Sequence, residues 1–188
     1  MGFAAHACGF HDPSSVNVGM LNLAYPDSLH VRTAVWMAQR EGIIDRDPQL
    51  DPVDSQAGRI GALFRMRETM LRLRALHERI VVTTDRGETP GFAVVLLGPM
   101  LWTRYHRSEV GLVLLEHAEG PESNDVVVVT DGPVVAALLE GRITAGQARH
   151  LGLVRLYGTP AGIGQVVAAL DGVAVQPARG AAGSAASR

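Results

Sequence analysis

Two short runs of the sequence, VVLL at residues 94–97 and VVVV at residues 126–129, are apolar at every position. Successive side chains of a strand point to opposite faces of a sheet, so strands with these sequences are apolar on both faces. Such strands need cover on both sides, from helices, from a second subunit or from a ligand. The chain is therefore constrained to a layered fold that encloses at least part of a sheet.

The remaining periodicity predicts an α+β protein. Val and Leu runs separated by turn residues predict six strands, at residues 80–84, 92–97, 100–106, 111–117, 126–130 and 153–157. Apolar residues at three- and four-residue steps, with capping residues and glycine stops, predict five helices, at residues 28–40, 55–77, 133–140, 144–150 and 160–170. We expect an irregular arm at residues 1–26 and a disordered tail at residues 176–188.

The composition is typical of a globular protein, with 47% hydrophobic and 19% charged residues among 188. Seventeen basic and nineteen acidic side chains give a formal net charge of -2. A chain with this balance has no general attraction to phosphate, so nucleic acid is not an expected partner.

Cys8 is the single cysteine, which excludes an intrachain disulfide and favours a reducing compartment. The first residues lack the basic and apolar regions of a secretory signal. No apolar run reaches the length of about 18 residues that a membrane span requires. We therefore expect a soluble, cytoplasmic protein.

The segment TDGPVVAALLEGRITAGQA at residues 130–148, followed by GLVRLYG at residues 152–158, resembles the C-terminal signature of the sterol carrier protein (type two)-like family. A strand, a short helix ending in glycine, a helix opened by Ile-Thr, a strand ending in glycine and a terminal helix follow one another in the same order. The resemblance implies an antiparallel sheet of five to six strands with helices packed on one face. The sterol-carrier-like domain would span residues 51–175. Residues 1–50 have no counterpart in the family and are expected to form an N-terminal arm and helix, and residues 176–188 are expected to form the tail.

The same resemblance implies a non-catalytic protein that carries a lipid, sterol or isoprenoid-like molecule in a hydrophobic tunnel. The family has no shared catalytic residue, and no cofactor is expected. Apolar residues on the strands and late helices are the pocket candidates, and they are Leu114, Val128, Leu138 and Leu156.

A cluster of aromatic and polar residues lies in the strand predicted at residues 100–106. Alternation places Trp102, Arg104 and His106 on one side of that strand. These three residues are candidates for the polar end of a pocket that orients an acidic head group. In the alternative interpretation, Trp102 lies in the core of an edge strand and the other two are solvated.

The helix predicted at residues 55–77 is strongly basic. Its arginines include Arg65, Arg67, Arg72 and Arg74. A charge run of this kind is usually a solvated face, but it also suggests a second function, an accessory protein that docks on a partner enzyme through this helix and the N-terminal arm. A homodimer is possible as well, because a second copy could cover the sheet.

Metal binding and acid–base catalysis have weaker support. His6, Cys8 and His11 are residue types that bind zinc, but the sequence offers no fourth ligand at a recognised spacing. Glu116 and His117 are neighbours on a strand and face opposite ways, which favours a structural rim over a catalytic pair.

Overall fold

The structure, a computed structural model, describes residues 18–46, 56–83, 89–109 and 111–175. Within these ranges, six helices and five strands follow one another along the chain. The elements are α1 (Val18–Ala24), α2 (Ser28–Arg40), α3 (Gln56–Thr83), β1 (Phe92–Leu96), β2 (Leu101–Ser108), β3 (Gly111–Leu115), β4 (Val126–Thr130), α4 (Gly132–Leu139), α5 (Ala145–His150), β5 (Arg155–Tyr157) and α6 (Pro160–Val175). The predicted α+β class is confirmed.

The strands form one sheet in the order β3-β2-β1-β4-β5. Three neighbouring pairs are antiparallel, but β1 and β4 run parallel, with Phe92 beside Val126 and Leu96 beside Thr130. The expectation of an all-antiparallel sheet is therefore wrong. Every residue of β1 and β4 is buried, as the apolar character of both runs predicts, and the two strands pair in the middle of the sheet, where both faces are covered.

One face of the sheet is covered by α3, α4 and α6. Tyr105 of β2 marks this face, since its hydroxyl donates to the Leu73 carbonyl of α3 at 3.3 Å. The Tyr105 ring stacks on Phe92 at a centroid distance of 4.3 Å. The register places Leu114 opposite Tyr105, and α3 contacts β3, α4 and α6. We call this the α3 face.

The opposite face is covered in part by α1 and α2. Trp102 lies three residues before Tyr105 on the same strand, so its side chain points to the opposite face of the sheet. Its ring lies 6.0 Å from the ring of Tyr25, which follows α1, and α2 contacts β4. We call this the α2 face. The expectation that helices pack on one face only is wrong, because the N-terminal helices share one core with the rest of the chain, and they contribute Leu21, Val31, Val35 and Ala38 to it.

Two local assignments also differ from the sequence prediction. Residues 18–24 form a helix, whereas an irregular arm was expected there; residues 1–17 lie outside the described ranges. Residues 80–83 continue α3 instead of starting a strand. Ile80 lies four residues after Leu76, so both fall on the buried side of the same helix, and its burial satisfies the helical repeat as well as a strand would.

The C-terminal order of elements agrees with the prediction. A strand, two short helices, a strand and a terminal helix follow one another from β4 to α6. Thr144 and Gln147 form the predicted capping box at the start of α5. At the N-terminal end of the chain, the predicted glycine stop of α2 is also present, since Gly42 follows α2 with φ 75°. The last helix is longer than expected and ends at Val175, and the predicted tail lies outside the described ranges.

No helix in the described part of the chain combines the length and the apolar character needed to cross a bilayer.

Candidate functional site

An open groove of about 390 Å³ lies at the β5 edge of the sheet, between α5 and α6. Small-molecule sites typically have volumes of about 300–1,000 Å³. The groove is lined by Gly146, Arg149, His150, Val154, Arg155, Leu156 and Ile163. β5 is the last strand of the sheet, so no strand of the described residues covers this edge.

The floor of the groove is apolar. Val154 is buried, and Leu156 and Ile163 are half-buried and pack against the core cluster. The register pairs Leu156 with Val128, which places the Leu156 side chain on the α3 face. A ligand in the groove would therefore contact the margin of the core without entering it.

The rim of the groove is cationic. Arg149 and His150 lie in the last turn of α5, and Arg155 begins β5. Among the described residues, none of the three has a carboxylate within ion-pair distance. Arg149 and Arg155 thus keep guanidinium donors available for an anion, and arginine is well suited to a carboxylate or a phosphate.

Three hydrogen bonds position the α5 wall. The Thr144 hydroxyl accepts from the Gln147 amide at 3.1 Å, and the Gln147 side chain accepts from the Thr144 amide at 2.9 Å. The Gly146 amide then donates to Asp171 of α6 at 3.1 Å. The bond from Gly146 to Asp171 holds the start of α5 against α6.

The four predicted pocket residues share the α3 face of the sheet. Leu114, Val128 and Leu156 lie on strands, and Leu138 lies on α4 within the helix layer. Val128 and Leu138 are each 3% exposed and belong to one continuous core cluster. Only Leu156 reaches the groove, so a closed tunnel along the other three stays a prediction.

Trp102, Arg104 and His106 share the α2 face, as the alternation predicted. The sheet therefore separates them from the four apolar candidates, and the structure does not bring the two predicted sets into one pocket. Trp102 is buried, and its indole N–H has no acceptor among the described residues. His106 is half-exposed.

Arg104 is already engaged inside the protein. Its Nε lies 2.5 Å from an Asp125 oxygen, and it also pairs with Glu122. The Arg104 and Asp125 side chains are 9% and 4% exposed. The hydrogen bond to Asp125 raises the pKa of Arg104 above its ordinary value. A guanidinium held by two carboxylates has little capacity left for an acidic head group.

The basic helix is partly neutralised as well. Arg72 pairs with Glu68 at 2.5 Å, and Arg74 pairs with Glu116 of the loop after β3. Arg65 and Arg67 have no such pairing in the described ranges. Glu116 thus makes a structural contact, which agrees with the prediction that residues 116 and 117 have a structural and not a catalytic role.

The predicted metal candidates, His6, Cys8 and His11, lie outside the described ranges. Inside those ranges, no group of three or more His, Cys, Asp or Glu side chains is arranged to hold a metal ion.

Sequence reasoning missed the groove's rim residues. None of Arg149, His150 and Arg155 was proposed as a site residue from the sequence. The available signal was local, since Arg155 alternates with Leu156 on a predicted strand and Arg149 ends a capped helix. Their proximity depends on how α5 folds back over β5.

No protein-family model matches the sequence, and no curated protein matches it. Among solved structures, the chain is similar to a stereoselective inverting sec-alkylsulfatase from Pseudomonas sp., at 17% identity and a TM-score of 0.40. The match spans 49% of this chain and 15% of the sulfatase chain. A likeness of this extent supports no inference about fold or activity.

Proposed function

We propose that this protein binds and carries, without catalysis, a small amphipathic acid in the groove at the β5 edge. The apolar part of the ligand lies on Val154, Leu156 and Ile163, and its anionic head group pairs with Arg149 at the rim and with Arg155, whose side chain points to the α2 face of β5 and lines the groove at the sheet edge. The observation that carries the proposal is the combination of an apolar floor with a cationic rim that lacks carboxylate partners in the described residues.

The proposal keeps the carrier function that the sequence suggested but changes the type of ligand. A neutral sterol or isoprenoid requires an enclosed apolar cavity, and the residues expected to line one include Val128 and Leu138, which pack in the core. The open groove offers less apolar surface and more charge. An acid with a single hydrocarbon chain fits this balance better than a fused-ring sterol.

The head-group contacts are expected to contribute much of the affinity. Hydrogen bonds to charged groups contribute about 1.5–3 kcal/mol each. Loss of one arginine should therefore weaken binding by about 10- to 100-fold. Burial of the hydrocarbon chain adds about 25 cal/mol for each Å² that it removes from water.

The test is a calorimetric titration of the purified chain with dodecanoate and, in parallel, with dodecanol. We expect dodecanoate to bind at least about ten-fold more tightly than dodecanol, since only the acid can pair with the rim. Arg149→Ala and Arg155→Ala should each remove most of this preference. Leu156→Asp should weaken both ligands, because it places a carboxylate on the apolar floor.

Arg40→Ala is the matched control, because Arg40 is a surface arginine on α2, away from the groove. It should leave both affinities unchanged. Equal binding of acid and alcohol, or an equal loss in Arg40→Ala and Arg149→Ala, would contradict the proposal. Mass spectrometry of lipid extracts from the purified protein gives an independent measurement.

A further inference from the structure

The solvent side of α3 carries an apolar stripe that the core does not use. Ile60, Phe64, Leu71 and Val82 are 47%, 65%, 52% and 58% exposed. At 100° per residue they fall within about 40° of one another, and the stripe extends about 33 Å along the axis. The buried residues of the same helix, among them Leu73 and Ile80, lie on the opposite side. We call these four exposed residues the outer α3 stripe.

A stripe of this shape is typical of helix packing. The steps from Ile60 to Phe64 and from Phe64 to Leu71 are four and seven residues, which is the spacing of a seam between two helices. Monomeric proteins rarely leave extended apolar surface exposed without a binding role. The stripe is too narrow to serve as the broad apolar face of a helix lying in a membrane surface.

The charge around the stripe is mainly positive, although Glu78 falls in line with its apolar residues. Arg67 and Arg74 border the stripe on one side, within about 40° of it. On the other side Glu68 comes first, and Arg72 and Arg65 lie about 80–100° from the stripe. Arg65 and Arg67 have no carboxylate partner among the described residues. A second copy of the chain is a poor occupant, because α3 carries six arginines against two glutamates and two such helices would repel each other.

We propose that the outer α3 stripe is the docking surface for an amphipathic helix of an acidic partner protein. Apolar residues of the partner cover Ile60, Phe64 and Leu71, and a flanking carboxylate of the partner pairs with Arg67. This surface is separate from the groove at the β5 edge, so the inference does not depend on the proposed ligand. It would bring a carrier to a specific protein while the groove stays accessible.

The test uses two synthetic helical peptides with leucine at the heptad a and d positions. One peptide has glutamate and the other has lysine at the e and g positions. Fluorescence anisotropy with the full chain should show that the glutamate peptide binds at least about ten-fold more tightly. Leu71→Glu should abolish this binding, and Arg67→Glu should reduce the preference for the acidic peptide several-fold.

Met37→Glu is the matched control, since Met37 is 49% exposed on α2 and does not belong to the stripe. It should bind the glutamate peptide as the wild type does, and circular dichroism should show that all variants are folded. Equal binding of both peptides, or no binding of either, would overturn the proposal. The proposal would also be overturned if the wild type forms a concentration-dependent dimer, or adsorbs to vesicles of phosphatidylglycerol and phosphatidylcholine, and Leu71→Glu abolishes that behaviour.

Discussion

Gly162 of α6 lies directly against Val126 of β4, so that a Cβ added at Gly162 would be 2.9 Å from the Val126 Cγ2. The same Cβ would be 3.1 Å from the hydroxyl oxygen of Thr159. The absence of a side chain at this position therefore sets how closely the last helix approaches the central strand.

Gly162→Ala is expected to destabilise the protein by about 1–3 kcal/mol, because the added methyl group forces β4 and α6 apart. Gly164→Ala, two residues later, should stabilise it by about 0.5–1 kcal/mol, since no atom lies within 4 Å of the new Cβ and alanine is the better helix former. Urea denaturation measures both changes. Partial recovery of Gly162→Ala by Val126→Ala would confirm the contact, and equal effects of the two glycine replacements would contradict it.

The buried pair of Arg104 and Asp125 gives a second prediction. Asp125→Ala leaves the Arg104 guanidinium with only the exposed Glu122 as a partner, so the free energy of unfolding should fall by about 3–5 kcal/mol. Glu122→Ala is the control, with an expected cost below about 1 kcal/mol, because the Glu122 side chain is 68% exposed. Similar losses in both variants would show that the burial of Asp125 contributes little.

The pairing of Glu116 with Arg74 predicts a pH dependence. The hydrogen bond from Arg74 lowers the pKa of Glu116 below the ordinary value of 4.5. A carboxyl group with a lowered folded-state pKa stabilises the fold above its unfolded pKa, and this contribution is lost as the pH falls through the folded value. At neutral pH the wild type should therefore have a higher free energy of unfolding than Glu116→Gln, and this difference should shrink below pH 4.5. Denaturation curves at several pH values measure it, and a difference that is constant in acid would contradict the pairing.

The capping box of α5 links stability to the groove. Thr144→Ala should cost about 1 kcal/mol, since it removes the acceptor of the Gln147 amide. It should also weaken dodecanoate binding, because α5 carries Arg149. Thr33→Ala, in the exposed middle of α2, is the control; it should stabilise the protein slightly, by about 0.5 kcal/mol, because alanine is the better helix former, and it should leave the ligand affinity unchanged. If Thr144→Ala is destabilised but binds dodecanoate as tightly as the wild type does, the helix cap does not contribute to ligand binding.

Local patterns predicted most elements of the fold. The five strands from β1 to β5 were located to within about two residues, because most of them are rich in apolar residues and all are bounded by turn residues. The helices from α4 to α6 were found from their caps and glycine stops. The error at residues 80–83 arose because Ile-Val-Val is short and apolar, and periodicity alone does not separate the end of a buried helix from a strand.

Long-range relationships were less accessible. The run of apolar residues in β1 and β4 indicated that both needed cover, but not that they pair in parallel. The candidate site was harder still, because Arg149, Arg155 and Ile163 belong to three elements that are brought together only by the turns after α5 and β5. A single sequence contains no direct signal for such proximity.

The parallel partnership of β1 and β4 also has a consequence for synthesis on the ribosome. The first three strands can assemble by local hairpins as soon as residue 115 has emerged, but the inner edge of β1 then has unsatisfied backbone groups until residues 126–130 follow. An apolar strand with an open edge is prone to pair with other chains. The nascent protein is therefore most vulnerable to aggregation during the interval between the third and fourth strands, and that is where a chaperone would have its largest effect.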